Sequence, residues 1–247
     1  MPHTVALIPA HNEALTIRTV VDATRPHVDA VIVIDDGSTD GTAEALSGCD
    51  AHLIRHPDNA GKGRRLVEGL ELAFTEGATQ VVTLDADNQH DPADIPAFLA
   101  KAAEHPGALV LGDRSAQMDR MPRSRARGIR FGNFFIGWAC GRRIADAQCG
   151  MRLYPAQLWR KVQLPPDQID RFLFETAVLL HSAEAGVPFV FVPVDARYEG
   201  FVLRASHFDP IRDFLKIVGL VTRFLFSRRL QLRGLLVVLG ISMQADN

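Results

Sequence analysis

Two carboxylates one residue apart, Asp85 and Asp87, follow the apolar run Val81-Val82-Thr83-Leu84 and precede Asn88-Gln89-His90-Asp91-Pro92. A short run rich in β-branched residues reads as a buried strand, and carboxylates at a strand end can lean into one crevice. Hard oxygen ligands so placed suit Mg²⁺ or Mn²⁺, or a ribose hydroxyl. Helix capping is the plainer alternative. Asp91 before Pro92 meets that need alone, because a cap side chain accepts orphan backbone N–H groups and proline suits the first helical position. Asp85 and Asp87 are left over for a metal or a nucleotide.

Other strand ends carry the same kind of residue. An apolar strand over residues 4–9 runs into Pro9-Ala10-His11-Asn12-Glu13, and one over residues 30–34 runs into Asp35-Asp36-Gly37-Ser38-Thr39-Asp40. Paired carboxylates before glycine mark a tight turn; Ser38 and Asp40 can cap the next helix, whereas Asp35 and Asp36 exceed what capping requires. A third strand over residues 52–55 leads to Asn59-Ala60-Gly61-Lys62-Gly63, where two glycines around Lys62 at a helix start could bring backbone N–H groups to a phosphate. The stretch is not a Walker A loop. A fifth strand, residues 108–111, closes on Gly112-Asp113-Arg114. Strand and helix alternate five times, which predicts a parallel doubly wound sheet with ligands outside the carboxyl ends of its strands.

The second half differs in charge. Residues 1–113 hold 7 Lys/Arg and 18 Asp/Glu, a net of −11, and residues 114–247 hold 20 and 11, a net of +9. An acidic half suits a metal-assisted nucleotide site, and a basic half suits an anionic partner. Residues 114–130 contain six arginines and one acid, Asp119, and read as a mobile basic loop. They lack interleaved aromatics for base stacking, and no nucleic-acid motif follows, so a nucleic-acid partner is not expected. Residues 131–139 read as a helix and 146–152 as a turn. In the next helix Glu175 lies among Phe172, Leu173, Ala177 and Leu180, so it is either partnered or working.

A helix from 209 to about 226 places Phe214, Leu215, Val218, Val221, Phe224 and Leu225 at three- and four-residue spacings, with Arg212, Lys216, Arg223, Arg228 and Arg229 as basic counterpart. It is either docked on the domain or lies on a membrane surface. At 247 residues and 47% hydrophobic content, the chain can bury a core as one large domain, with or without an appendage. Three cysteines, Cys49, Cys140 and Cys149, lack metal-ligand spacing and read as reduced, packed thiols. No run reaches the roughly 20 apolar residues of a membrane span, and no signal peptide is evident. A cytoplasmic location is expected, peripheral at the inner membrane face if the tail binds lipid.

With these residues in view, the chain resembles the family-2 inverting glycosyltransferases of the GT-A fold, and among them the polyprenyl-phosphate (dolichyl-phosphate) sugar transferases. The resemblance spans residues 3–215 and rests on the ordered motifs Ile8-Pro9-Ala10-His11-Asn12-Glu13, Val33-Ile34-Asp35-Asp36-Gly37-Ser38-Thr39-Asp40, Asn59-Ala60-Gly61-Lys62-Gly63, Asp85-Ala86-Asp87-Asn88-Gln89-His90 and Gly112-Asp113-Arg114. It implies a Rossmann-like, mostly parallel sheet flanked by helices. A transferase domain would cover residues 1–208, divided into a nucleotide-sugar half, 1–113, and an acceptor half, 114–208, with residues 209–247 as a basic amphipathic tail.

The resemblance further implies that Pro9, His11 and Glu13 line the nucleotide pocket and that Ile34 and Asp36 hold the base or ribose. Asp85, Ala86, Asp87 and Gln89 would form the metal and diphosphate site, with Mg²⁺ or Mn²⁺ as cofactor and His207 as a further ligand. Arg114, Arg127 and Arg130 would approach the acceptor phosphate, and Arg197, Tyr198, Ser206 and His207 would lie in a loop closing over the donor. A phosphate acceptor needs orientation by arginine, whereas a hydroxyl acceptor needs a general base, for which Glu175 and Asp146 are the candidates. The expected partners are a nucleotide-sugar donor, a polyprenyl phosphate or other lipid acceptor, and a membrane surface. Transfer to a lipid alcohol, and a non-catalytic scaffold that binds nucleotide or lipid, stay open as alternatives.

Overall fold

The structure, a computed structural model, describes residues 3–120, 123–195, 212–228 and 230–241. The chain runs β1 (Thr4–Ala10), α1 (Ile17–Thr24), β2 (Ala30–Asp36), α2 (Thr42–Ala45), β3 (His52–His56), α3 (Lys62–Thr75), β4 (Gln80–Thr83), α4 (Ile95–Glu104) and β5 (Leu109–Asp113). It continues as α5 (Arg123–Cys140), β6 (Arg152–Pro155), α6 (Ala156–Lys161), α7 (Leu173–Glu184), β7 (Phe189–Pro193), α8 (Arg212–Ser227) and α9 (Leu232–Leu239). The seven strands form one sheet in the order β3-β2-β1-β4-β6-β5-β7.

All seven residues of β1 are buried, as expected of a central strand covered on both faces. Period-two alternation divides the apolar residues between two cores. Val5, Leu7, Ile32 and Ile34 face one that includes residues of α3, α5, α7 and α8, and Ala6, Ile8, Val31 and Val33 face the other, with residues of α1 and α4. β1 pairs in parallel with β2 and β4, so the loops leaving all three strands emerge along one edge.

The sheet is mostly parallel, as expected, and its exception is β6, which lies antiparallel between β4 and β5, with Thr83 opposite Arg152 and Val110 opposite Leu153. Its direction brings the preceding residues, Cys149-Gly150-Met151, to the carboxyl end of β4. Thr83 Oγ1 donates to the Gly150 carbonyl at 2.8 Å. The basic segment read as a mobile loop is corrected. Residues 115–120 form a 3₁₀ turn, and Arg123, Arg127 and Arg130 belong to the first turns of the 18-residue helix α5.

α8 packs on α5 and α7, and α9 on α5. Leu220, Val221, Phe224 and Leu225 of α8 are buried, and the start of the helix is tied down by Asp213 to Arg171 at 3.3 Å and by Lys216 to Asp170. Among the described residues no helix is long and apolar enough to cross a membrane.

Candidate functional site

Backbone and side chain join the first two loops at the sheet edge. Asn12, at φ 58°, receives a hydrogen bond from Thr39 N on its Oδ1, and its own N–H donates to Ser38 Oγ at 2.9 Å. His11 Nδ1 lies 2.8 Å from the Asp36 carbonyl. Glu13 N donates to Thr42 Oγ1, and its carboxylate accepts from Thr16 Oγ1, which anchors the turn into α1. Pro9 is buried at the end of β1.

Two residues expected to touch base or ribose are differently employed. The Ile34 side chain is fully buried, facing the α3 layer against the position of Gly69, so only its backbone is left to meet a ligand. Asp36 is buried with both oxygens occupied: Oδ1 accepts from Ala60 N and from Arg65 Nε, and Oδ2 from Gly61 N. A carboxylate so engaged builds the loop that opens α3. Arg65, which the sequence reading passed over, supplies the charge, also bonding Glu68 and the Asp58 carbonyl.

The third loop carries the acidic pair. Asp87 Oδ1 caps Gln89 N at 3.0 Å, and Asn88 reverses the chain at φ 60°, a conformation that asparagine tolerates. Ala86 packs into the core, so its contribution to a site is backbone. Lys62, the first residue of α3, extends to this loop: its Nζ lies 2.6 Å from Asp85 Oδ1 and 3.0 Å from Glu175 Oε1. The phosphate role read for the Lys62 stretch is thereby narrowed to backbone N–H groups other than those of Ala60 and Gly61, which Asp36 takes, since the ammonium is held between two carboxylates.

Burial by itself would weaken that ammonium, but Asp85 and Glu175 outweigh it and hold the Lys62 pKa above the usual lysine range. Asp85 is also desolvated, yet Lys62 and His90 pull its pKa well below the usual carboxylate value. Asp87 shifts the other way, raised by burial and by the charge of Asp85. One carboxylate is thus paired directly by the protein, and the other, repelled by its neighbour, makes no ion pair of its own among the described residues and presents hard oxygen atoms. That state fits a divalent cation such as Mg²⁺ or Mn²⁺, which binds through one or two carboxylates plus substrate phosphates. Among the described residues there is no cluster of three or more His, Cys, Asp or Glu that could hold a metal unaided. His207, and with it Arg197, Tyr198 and Ser206, lies outside the described residues.

On the other flank Arg114, just past β5, makes a two-pronged pair with the buried Asp146, Nε to Oδ2 at 2.7 Å and Nη2 to Oδ1 at 3.2 Å. Asp146 is desolvated, and the guanidinium more than offsets this, holding its pKa below the usual value. Arg114 therefore does not stand free for an acceptor phosphate, and Arg127 and Arg130 are exposed on α5. Glu175 is partnered by Lys62 rather than standing as a free base. A second residue missed in the sequence is Arg152, fully buried at the start of β6, which donates to the carbonyls of Cys149, Ala147 and Glu175. Its only sequence signal was an arginine between two apolar residues, Met151 and Leu153.

Comparison with known proteins decides what this edge belongs to. The family model described as glycosyl transferase family 2 matches residues 5–161, more than half of the chain. The chain belongs to that family. This glycosyltransferase is 30% identical over 172 residues to the UDP-N-acetylglucosamine–dolichyl-phosphate N-acetylglucosaminyltransferase of Methanococcus voltae, with 60% of this chain and 67% of that protein covered. It is 28% identical over 202 residues to the undecaprenyl-phosphate mannosyltransferase of Micrococcus luteus, covering 77% and 82%. Among solved structures it is similar to glucosyl-3-phosphoglycerate synthase from Mycobacterium tuberculosis in complex with Mn²⁺ and uridine-diphosphate-glucose, with a TM-score of 0.62, 22% identity, and 92% and 79% of the two chains covered. At that identity the likeness shows the fold, which is GT-A.

Proposed function

We propose that this glycosyltransferase is metal-dependent and inverting, and moves a sugar from a UDP- or GDP-sugar to a membrane-associated acceptor, a polyprenyl phosphate. The observation that carries the acceptor class is the state of the two side chains that could serve a hydroxyl acceptor as base. Glu175 faces the Lys62 ammonium, and Asp146 is gripped by Arg114. Asp146 is gripped on both oxygens with its pKa lowered and is a poor proton acceptor, and Glu175 is committed to the ammonium as its counter-charge. A phosphate acceptor arrives as an anion and needs no base; the exposed Arg123, Arg127 and Arg130 at the start of α5 offer the charge to orient it. The relatives named for dolichyl and undecaprenyl phosphate support the same class.

In this reading Asp87, with Gln89 beside it, would hold the Mg²⁺ or Mn²⁺, which supplies Lewis-acid stabilisation of the charge developing on the departing nucleoside diphosphate. The loops carrying Pro9, His11, Glu13 and Asp36 shape the nucleotide pocket through the backbone bonds described above. Residues 1–113 would serve the donor, 114–208 the acceptor, and 209–247 the membrane surface at its cytoplasmic face. The test is incubation with UDP- and GDP-sugars and a polyprenyl phosphate, with Mn²⁺ or with EDTA, followed by ³¹P NMR of the product. Conversion of the lipid phosphomonoester into a sugar phosphodiester only when Mn²⁺ is present supports the reading. A lipid phosphate that stays a monoester while a lipid alcohol is glycosylated overturns it.

A further inference from the structure

Lys62 is a cation already resident in the acidic crevice, and its surroundings fix where it sits. Gly63, next in α3, is pressed so closely against the segment preceding α7 that an added Cβ would meet the Ile169 carbonyl oxygen at 2.3 Å and the Arg171 carbonyl oxygen at 2.7 Å. The Glu175 carboxylate is buried, one oxygen on the Lys62 ammonium and the other, Oε2, without a hydrogen-bond partner among the described residues, so among them the ammonium is what compensates its charge. Asp85 is half-buried but engaged through both oxygens. Its Oδ1 touches Lys62, its Oδ2 lies 3.5 Å from His90 Nε2, and a Cβ on Gly150 would stand 2.4 Å from that Oδ2.

We propose that Lys62 is a positioning residue: a built-in counter-ion that reserves Asp85 and leaves Asp87 as the one acidic-pair carboxylate open to a divalent ion. The proposal rests on the metal-dependent reading above and deepens it. A second ion ligated by Asp85 would have to displace an ammonium anchored by a buried glutamate, and two cations would then compete for one carboxylate. The metal alone consequently meets a single free carboxylate. Beside Asp87 and Gln89, water and the diphosphate oxygens of the donor would complete the metal's shell, so metal and donor would bind cooperatively. The adjacent pair does not act as a two-carboxylate metal cage, although its spacing suggests one.

The consequence has an unusual sign, since removing a positive charge tightens metal binding whereas a merely structural lysine would loosen it. Mn²⁺ binding is measured by the electron paramagnetic resonance signal of free Mn²⁺, titrated alone and with UDP or GDP. Wild type is expected to bind Mn²⁺ weakly alone and more tightly with one nucleotide. Lys62→Met should bind Mn²⁺ alone about tenfold more tightly, the scale of one unit charge a few ångströms away in a partly hydrated site, and should gain less from nucleotide. The double variant Lys62→Met/Glu175→Gln, which leaves no uncompensated buried glutamate, should show the same gain. Glu175→Gln alone should not, because the ammonium stays on Asp85, and Lys62→Arg should restore the wild-type pattern. Affinity for Mn²⁺ alone that is unchanged or weaker in both Lys62→Met proteins, with Mn²⁺ still bound by wild type plus nucleotide, overturns this proposal and leaves the metal-dependent reading intact. Absence of bound Mn²⁺ in wild type with either nucleotide overturns both.

Discussion

Asp85 and Asp87 share a strand end but hold opposite electrostatic positions, one drawn below and one pushed above the usual carboxylate range. Asp87 makes no ion pair with Lys62 and is repelled by its neighbour, while its Oδ1 caps Gln89 N, so Asp87→Ala should change the midpoint of thermal unfolding little, relief of repulsion offsetting the lost cap. Transfer should fall about a hundred- to a thousandfold, the scale of losing one stabiliser of developing charge; calorimetry beside a turnover assay checks both. The Arg114–Asp146 pair makes the converse prediction. Its aspartate has a folded pKa below the ordinary 3.8, so as pH falls the unfolded chain takes up the proton first. The stability contributed by the pair is full above about pH 4 and is lost as pH falls through the lower folded value. Arg114→Met leaves Asp146 buried without its cation, which should cost about 3–5 kcal/mol at neutral pH; burial then raises the Asp146 pKa in the folded chain, so this loss should shrink as pH falls. Urea unfolding at a series of pH values reads both effects. At this scale the acidic pairs and Lys62 were legible from residue type and position. Their occupancy was not: Asp36 is held by Arg65 29 residues away, and Glu175 by a lysine more than a hundred residues earlier, distances at which only the fold sets the contact.

Elements were legible where local pattern and tertiary role agree. β1, β2 and β4 are apolar runs that end in polar loops, and they are found as expected. β6 escaped because four residues, an arginine and a proline among them, carry no alternation signal, and its arginine is buried by satisfying three carbonyls rather than by being apolar. The start of α5 escaped for an electrostatic reason. Arginines in the first turn oppose the helix dipole, so the sequence argues against a helix that packing on α7, α8 and α9 nevertheless imposes. The start of α3 shows how tightly elements are fitted around the site. Gly63→Ala must move either the carbonyls of Ile169 and Arg171 or the helix itself, and overpacking of this kind costs typically about 1–3 kcal/mol. Because Lys62 precedes it, the same change should raise the KM for the nucleotide sugar. Urea unfolding and donor KM, measured on one protein, should shift together; a loss of stability with an unaltered KM would separate the helix start from the donor site.

The whole molecule presents an outer surface on which docking and membrane contact are compatible. α8 buries Leu220, Val221, Phe224 and Leu225 against the domain but leaves Leu215, Val218 and Phe226 exposed, at spacings that place them on one side of the helix. α9 repeats the arrangement, with Leu232, Leu236 and Leu239 exposed opposite the buried Gly234 and Val237. The exposed Arg212, Arg223 and Arg233 stand on the same two helices. Apolar stripes flanked by arginine suit an anionic bilayer, where each basic residue near the surface contributes about 1 kcal/mol, and a lipid-linked acceptor would be met there. Deleting the helices is a poor test, since it would expose the faces of α5 and α7 that they cover and destabilise the domain. Leu232→Asp/Leu236→Asp instead places two negative charges on the outer stripe without touching the packed side. Surface changes of this kind alter stability by about 0.5 kcal/mol or less, so thermal unfolding should be nearly unchanged. Cosedimentation with phosphatidylglycerol vesicles should fall at least about tenfold, because apolar insertion is lost and like charges now face the lipid. Raising the ionic strength should weaken wild-type binding as well, since the arginine contribution is screened. Unaltered cosedimentation of the double variant at low salt would remove α9 from the membrane surface.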